Sequence, residues 1–168
     1  MSDPVADFGK SCSQLLKDKP TSAALEEIRA GLERDLLTNP TVINAHLSDD
    51  AAPERKILYE DQDLGFCILA HNYQGAKHST PHDHGPTWAI YGQVAGTTAM
   101  TEYTRVEKPT ADAPGKVKPA KTYELRPGMA AAYEVGVLHA PSREATTKLI
   151  RIEGKNLIGV KRDKYVCE

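Results

Sequence analysis

The residues best placed to do chemistry are His82 and His84 in the stretch Pro81-His82-Asp83-His84-Gly85-Pro86, answered much later by His139 in Gly136-Val137-Leu138-His139. On an extended segment, side chains alternate with period two, so histidines at i and i+2 point to one face. Two imidazoles on one face can grip a single ion, and a third from a distant strand would complete a facial set with the opposite side open to substrate or oxygen. Neutral imidazole suits Fe, Zn, Ni and Cu. The remaining histidines are read differently. His46 and His71 are ordinary structural residues, and His78 either supports the set from behind or sits on the surface.

The elements that must position these residues fall into two halves. Asp3-Pro4 predicts a helix start, followed by Val5, Phe8, Cys12 and Leu15 at helical spacing. Lys19-Pro20 breaks this run. Thr21 or Ser22 then caps a second helix with Leu25, Ile28, Leu32 and Leu36 on its apolar face, ended by Asn39-Pro40. A short third helix spans Thr41–Leu47. After Pro53, short β-type segments separated by turn residues take over, near 56–59, 65–70, 82–84, 87–91, 97–105, 121–125, 129–134, 148–153 and 157–160. Many short strands at close spacing predict an antiparallel barrel or sandwich. The Pro- and Gly-containing stretch Lys108–Lys121 reads as a long exposed hairpin loop. The chain divides into a helical segment, 1–52, packed on a barrel, 53–168, in one structural domain.

Composition narrows the function. With 21 Lys+Arg against 23 Asp+Glu and no basic stripe, the 168-residue chain offers no electrostatic case for nucleic acid. No apolar run approaches membrane-spanning length, and the acidic N-terminus lacks a signal-peptide layout. A cytoplasmic location is the expectation. Cys12, Cys67 and Cys167 form no CxxC pair, and Cys67 reads as a small buried hydrophobe.

The spacing around the histidines resembles the cupin family, whose fold is a double-stranded β-helix (jelly roll) with metal ligands from two stretches. The first has HxH, three or four residues, a Glu, six residues and a Gly. Here Gly85-Pro86-Thr87-Trp88 follow His84, Ala89 stands in place of the Glu, and six residues lead to Gly96. The second has Gly, five residues, Pro-x-Gly, two residues, His, three residues and Asn. Here Gly128 leads through Glu134-Val135-Gly136 to His139, with Glu134 replacing the Pro and Arg143 the Asn. The resemblance implies a cupin barrel carrying a three-His metal site. Such a site adds no anionic charge, so a divalent ion would draw anionic ligands such as carboxylate or thiolate. Glu134 is either an added ligand or base, or a turn residue near the barrel mouth. Trp88, Tyr91 and Tyr133 are candidates for the pocket wall, Trp88 first, or plain core.

Within the cupins, the helical leader and His82-Asp83-His84 are similar to the thiol dioxygenases, of which cysteine dioxygenase is the best known. These hold Fe(II) with three histidines and oxidise a thiol to a sulfinate with O2. The resemblance implies Arg55 as a clamp for the substrate carboxylate, which a guanidinium fork suits. The family's Ser, His and Tyr after the third ligand are absent. On Lys148–Glu153, alternation puts Leu149, Arg151 and Glu153 on one face, so Arg151 and Glu153 would bring an ion pair into the pocket. The expected function is a metal-dependent non-haem Fe(II) dioxygenase acting, with O2, on a small thiol- or carboxylate-bearing substrate. Alternatives are a redox-neutral isomerase, lyase or hydrolase using Zn, Ni or Mn, and a non-catalytic ligand-binding cupin. Edge strands and the resemblance suggest a homodimer.

Overall fold

A computed structural model describes all 168 residues. Three helices come first: α1 (Pro4–Asp18), α2 (Thr21–Asp35) and α3 (Pro40–His46). Asp3 caps α1 by accepting from the Val5 amide at 3.0 Å, with Pro4 in the first turn. Asn39 caps α3 in the same way, accepting from the Thr41 and Val42 amides. The expected cap of α2 is not made. Thr21 is already helical, no side chain caps the end, and the Ser22 hydroxyl donates instead to Glu134 Oε1 at 2.7 Å.

Ten strands follow: β1 (Arg55–Glu60), β2 (Cys67–Tyr73), β3 (Lys77–His78), β4 (Ala89–Ala95), β5 (Thr98–Glu107), β6 (Gly115–Leu125), β7 (Ala130–Tyr133), β8 (Leu138–Arg143), β9 (Thr147–Glu153) and β10 (Tyr165–Cys167). They form two five-stranded sheets, in the orders β1-β2-β9-β4-β7 and β10-β6-β5-β8-β3. Setting aside β1 and β10 at the edges, the orders β2-β9-β4-β7 and β6-β5-β8-β3 are those of an eight-stranded jelly roll, with β5 and β6 forming a hairpin within one sheet. The fold is therefore mainly β, a double-stranded β-helix carrying an N-terminal helical segment, as the sequence leads one to expect.

The two faces of the first sheet have different jobs. Phe66, Ile68 and Ala70 on one side of β2, Ile90 on β4, and Ile150 and Ile152 on β9 join Val5, Phe8, Cys12, Leu25, Ile28, Leu32, Leu36 and Leu37 of the helical segment in one apolar core. Alternation turns Leu69, His71 and Tyr73 of β2, Tyr91 of β4, and Arg151 and Glu153 of β9 to the barrel interior. The helix layer thus buries the bulk of the apolar surface outside the barrel and frees its interior for polar groups.

Several expected boundaries move. Residues 82–84 are not a strand; His82 makes a single bridge to His139, and Gly85 turns the chain at φ +61°. β8 and β10 are strands where none was expected. The segment 157–160 is not a strand, because Gly159 at φ +74° turns it and Ile158 lies in solvent. The loop expected over 108–121 ends at Gly115, where β6 begins and pairs with β5; Pro119 is accommodated where that register shifts.

Gly92 of β4 shows how closely the helices seat. A Cβ there would lie 2.6 Å from Leu37 Cδ2 and 2.8 Å from Leu32 Cδ2. Gly92→Val therefore lifts α2 from the sheet, and urea titration is expected to show a loss of about 1–3 kcal/mol at unchanged m-value.

Candidate metal centre

His82, His84 and His139 converge: one ring nitrogen of each lies within 4.8 Å of the others. His139 comes from the interior face of β8. His82 is tied to it by two backbone hydrogen bonds, His82 N–H to His139 O at 3.0 Å and His139 N–H to His82 O at 2.9 Å. Such a pair places both side chains on one face of the ladder, and their ring centroids are 4.8 Å apart. His84 follows on an extended path, and its ring stacks 5.0 Å from that of His139. The Asp83 side chain accepts from the Gly85 amide, fixing the turn that follows.

The protonation pattern prepares the rings for a cation. His82 Nδ1 lies 2.8 Å from the Thr80 carbonyl, and His139 Nδ1 lies 3.1 Å from that of Val137. A carbonyl only accepts, so each Nδ1 carries the proton and each Nε2 presents a lone pair. His84 Nε2 is 3.1 Å from His139 Nε2. Two nitrogens at ~2.1 Å from one ion and ~90° apart are separated by about 3.0 Å. The donor set therefore fits a metal ion, with neutral nitrogen ligands of the kind that iron and zinc accept. Burial, followed by repulsion from His82, lowers the His139 pKa to about 3; burial, followed by repulsion from His139, drives that of His84 further below the imidazole range. Burial is also the main reason that His82 is lowered.

Tyrosines brace the cluster. The Tyr91 hydroxyl is 3.0 Å from His84 Nε2 and 3.3 Å from His139 Nε2. Tyr133 stacks on His139 at a centroid distance of 4.2 Å, and its hydroxyl meets that of Tyr123 at 2.6 Å. Trp88 faces the other way, into the core beneath the helices, since the turn at Gly85 breaks the alternation that would have brought it inside.

His82 and His84 open into a cavity of about 650 Å³, with His139 buried behind them. Arg55, Lys77, Arg143, Arg151 and Arg162 line it, against the carboxylates of Glu54 and Glu153. Arg151 and Glu153 lie on the interior face of β9, with Arg151 Nη1 3.5 Å from Glu153 Oε1. The Arg151 guanidinium carbon sits 4.2 Å above the Tyr91 ring, and Nη2 donates to the Tyr73 hydroxyl at 3.1 Å. Arg55 is turned toward Glu153 Oε2 at 3.4 Å and Asn156 Oδ1 at 3.1 Å. His78 stands at the rim, with Nδ1 2.6 Å from Ser142 Oγ. Glu134 is held by Ser22 on the outside. Several wall residues escaped the sequence reading, among them Arg143, His71, Tyr73, Lys77 and Arg162. Arg143 was visible only as the residue replacing the family's Asn, and arginine is ordinarily a surface residue.

No protein-family model matches this chain, and no curated protein matches it. Solved structures give fold-level likenesses. KdgF from Halomonas sp. is 15% identical, with a TM-score of 0.46, over 67% of this chain and 90% of that one. A cupin-2 domain-containing protein from Shewanella frigidimarina is 17% identical, with a TM-score of 0.42, over 64% and 79%. An oxalate oxidase in complex with glycolate is 12% identical, with a TM-score of 0.45, over 66% and 56%. No helix is long and apolar enough to cross a membrane.

The buried neutral imidazoles set the response to acid. His71, His84 and His139 all have lowered pKa values in the fold. Below pH ~6.5 the unfolded chain binds protons that the native state refuses, so stability falls as pH falls from 6.5 toward 3. Metal-free protein is expected to lose up to about 1.4 kcal/mol per pH unit for each such histidine over this window. Urea unfolding between pH 7 and 4.5 checks this, and His139→Gln is expected to remove one histidine's share of the slope.

Proposed function

We propose that this chain is a metal-dependent enzyme, a non-haem Fe(II) dioxygenase acting on a small substrate that carries a thiol or a carboxylate. The observation that carries the reading is the convergence of three lone-pair nitrogens in a cavity where five cationic side chains face two carboxylates. His82, His84 and His139 would hold Fe(II), which would supply redox and Lewis-acid chemistry toward oxygen and an anionic substrate.

The remaining work belongs to the chain. Thr80 and Val137 carbonyls hold the His82 and His139 rings in the required tautomer. The Tyr91 hydroxyl, beside two of the metal-facing nitrogens, is placed to hold a proton at the substrate. Glu153 lies between Arg55 and Arg151 and orients both, while leaving an excess of positive charge that draws an anion inward. The similarity to thiol dioxygenases read from the sequence agrees with this arrangement. The ion pair of Arg151 and Glu153 on β9 favours a substrate other than cysteine.

Anaerobic reconstitution with Fe(II), followed by oxygen-electrode assays against panels of small thiols and small carboxylates, tests the reading. Oxygen uptake that requires one of these substrates and disappears in His82→Ala is the expected result. Tyr91→Phe is expected to lower kcat by about 10²-fold with iron content unchanged. Tight zinc retention with no oxygen uptake from any substrate would overturn the dioxygenase reading in favour of redox-neutral chemistry at the same three histidines.

A further inference from the structure

Arg143 is a buried cation without an anion. Its side chain is 1% exposed, it makes no salt bridge, and Nε and Nη2 are buried with no acceptor. Its guanidinium carbon lies 4.5 Å from the centroid of the Tyr73 ring. Burying an unpaired charge is costly, so such a group is retained where something else supplies the partner.

The neighbouring donors point the same way. Arg151 Nη2 donates to the Tyr73 hydroxyl, which lies 2.9 Å from His71 Nδ1. With its oxygen accepting from Arg151, the Tyr73 hydroxyl donates a hydrogen bond to Nδ1, and the neutral His71 carries its own proton on Nε2. That atom is buried with no acceptor, as is Arg151 Nε. Arg143, His71 and Arg151 all line the same cavity. The three groups present donors that no protein acceptor satisfies, and no carboxylate of the chain approaches Arg143.

We propose that Arg143, with His71 and Arg151, is the pocket that receives the substrate's carboxylate. This rests on the reading of the cavity as the substrate site. It assigns the anion to β8 and not to Arg55, whose guanidinium is already engaged by Glu153 and Asn156. Arg143 and His139 share one face of β8 four residues apart, about 13 Å between Cα atoms. The matching substrate class is an extended carboxylate, with several atoms between the carboxylate and the group that faces the histidines.

Thermal unfolding of the metal-free, full-length protein in glutarate, adipate, acetate or chloride at constant ionic strength tests the assignment. Ligand that binds only the native state raises Tm with concentration. Wild type is expected to rise with glutarate and adipate more than with acetate, and not with chloride. Arg143→Met, which removes the unpaired charge while keeping the bulk, is expected to raise the ligand-free Tm by a few degrees and to abolish the carboxylate response. Arg143→Lys is expected to keep a fraction of it. No response in wild type, or a full response in either Arg143 variant, overturns the proposal. So does a response lost in Arg55→Gln but kept in Arg143→Met. His82→Ala separates the two readings: loss of metal with the carboxylate response intact supports the pocket independently. A wild type that takes up no iron yet responds to adipate refutes only the dioxygenase.

Discussion

The site depends on one backbone pairing, the reciprocal hydrogen bonds between His82 and His139. The two residues are 57 positions apart and come from different settings: His82 lies outside any strand and makes this one bridge, while His139 sits within the β5–β8 ladder opposite Glu102. Because a hydrogen-bonded antiparallel pair sends both side chains to the same face, this single bridge converts a loop histidine and a strand histidine into neighbours. His84 then needs only an extended step of two residues to join them. The geometry is thus carried by main-chain bonding, which is insensitive to side-chain rotamers, and the carbonyls of Thr80 and Val137 finish the work by fixing the tautomers.

This arrangement would be expensive in an ordinary core. Imidazoles, arginines and tyrosines occupy the space that a small barrel usually fills with aliphatic side chains. The chain tolerates it because the apolar burial is placed elsewhere, between the outer face of the first sheet and the helical segment. β9 shows the division most plainly. Ile150 and Ile152 join the core under the helices, while Arg151 and Glu153, one residue out of phase, face the cavity. One strand serves stability on one side and recognition on the other.

That division explains what could be read in advance. The helices were legible because Asp3-Pro4 and the Val5-Phe8-Cys12 spacing signal a start and a face within a few residues. The alternation on β9 was legible because an ion pair at i and i+2 between isoleucines has one consistent interpretation. The histidine set was legible through spacing. β8 was not, since Leu138-His139-Ala140-Pro141-Ser142-Arg143 contains a proline and no run of β-branched residues, and its pairing partners, on β5, β3 and at His82, are all distant in the chain. Trp88, open to either reading because it follows the histidine turn closely, lies in the core beyond Gly85, where the chain turns at positive φ. Arg143 carries no local signal at all, because its burial is created by β2 and Tyr73 folding over it.

The same reasoning distinguishes the two kinds of arginine in the cavity. Arg55 and Arg151 are compensated: each has Glu153 within 3.5 Å, and each has a further oxygen partner. Their charges are settled by the fold, although Arg151 keeps its buried Nε without an acceptor and still offers that donor to a ligand. Arg143 is uncompensated: it rests on the Tyr73 ring as Arg151 rests on that of Tyr91, but it makes no ion pair with a carboxylate. In a low-dielectric setting, an unpaired guanidinium exerts its full attraction on whatever anion enters. Specificity in this cavity is therefore set less by the number of cations than by which of them the protein has left without a partner.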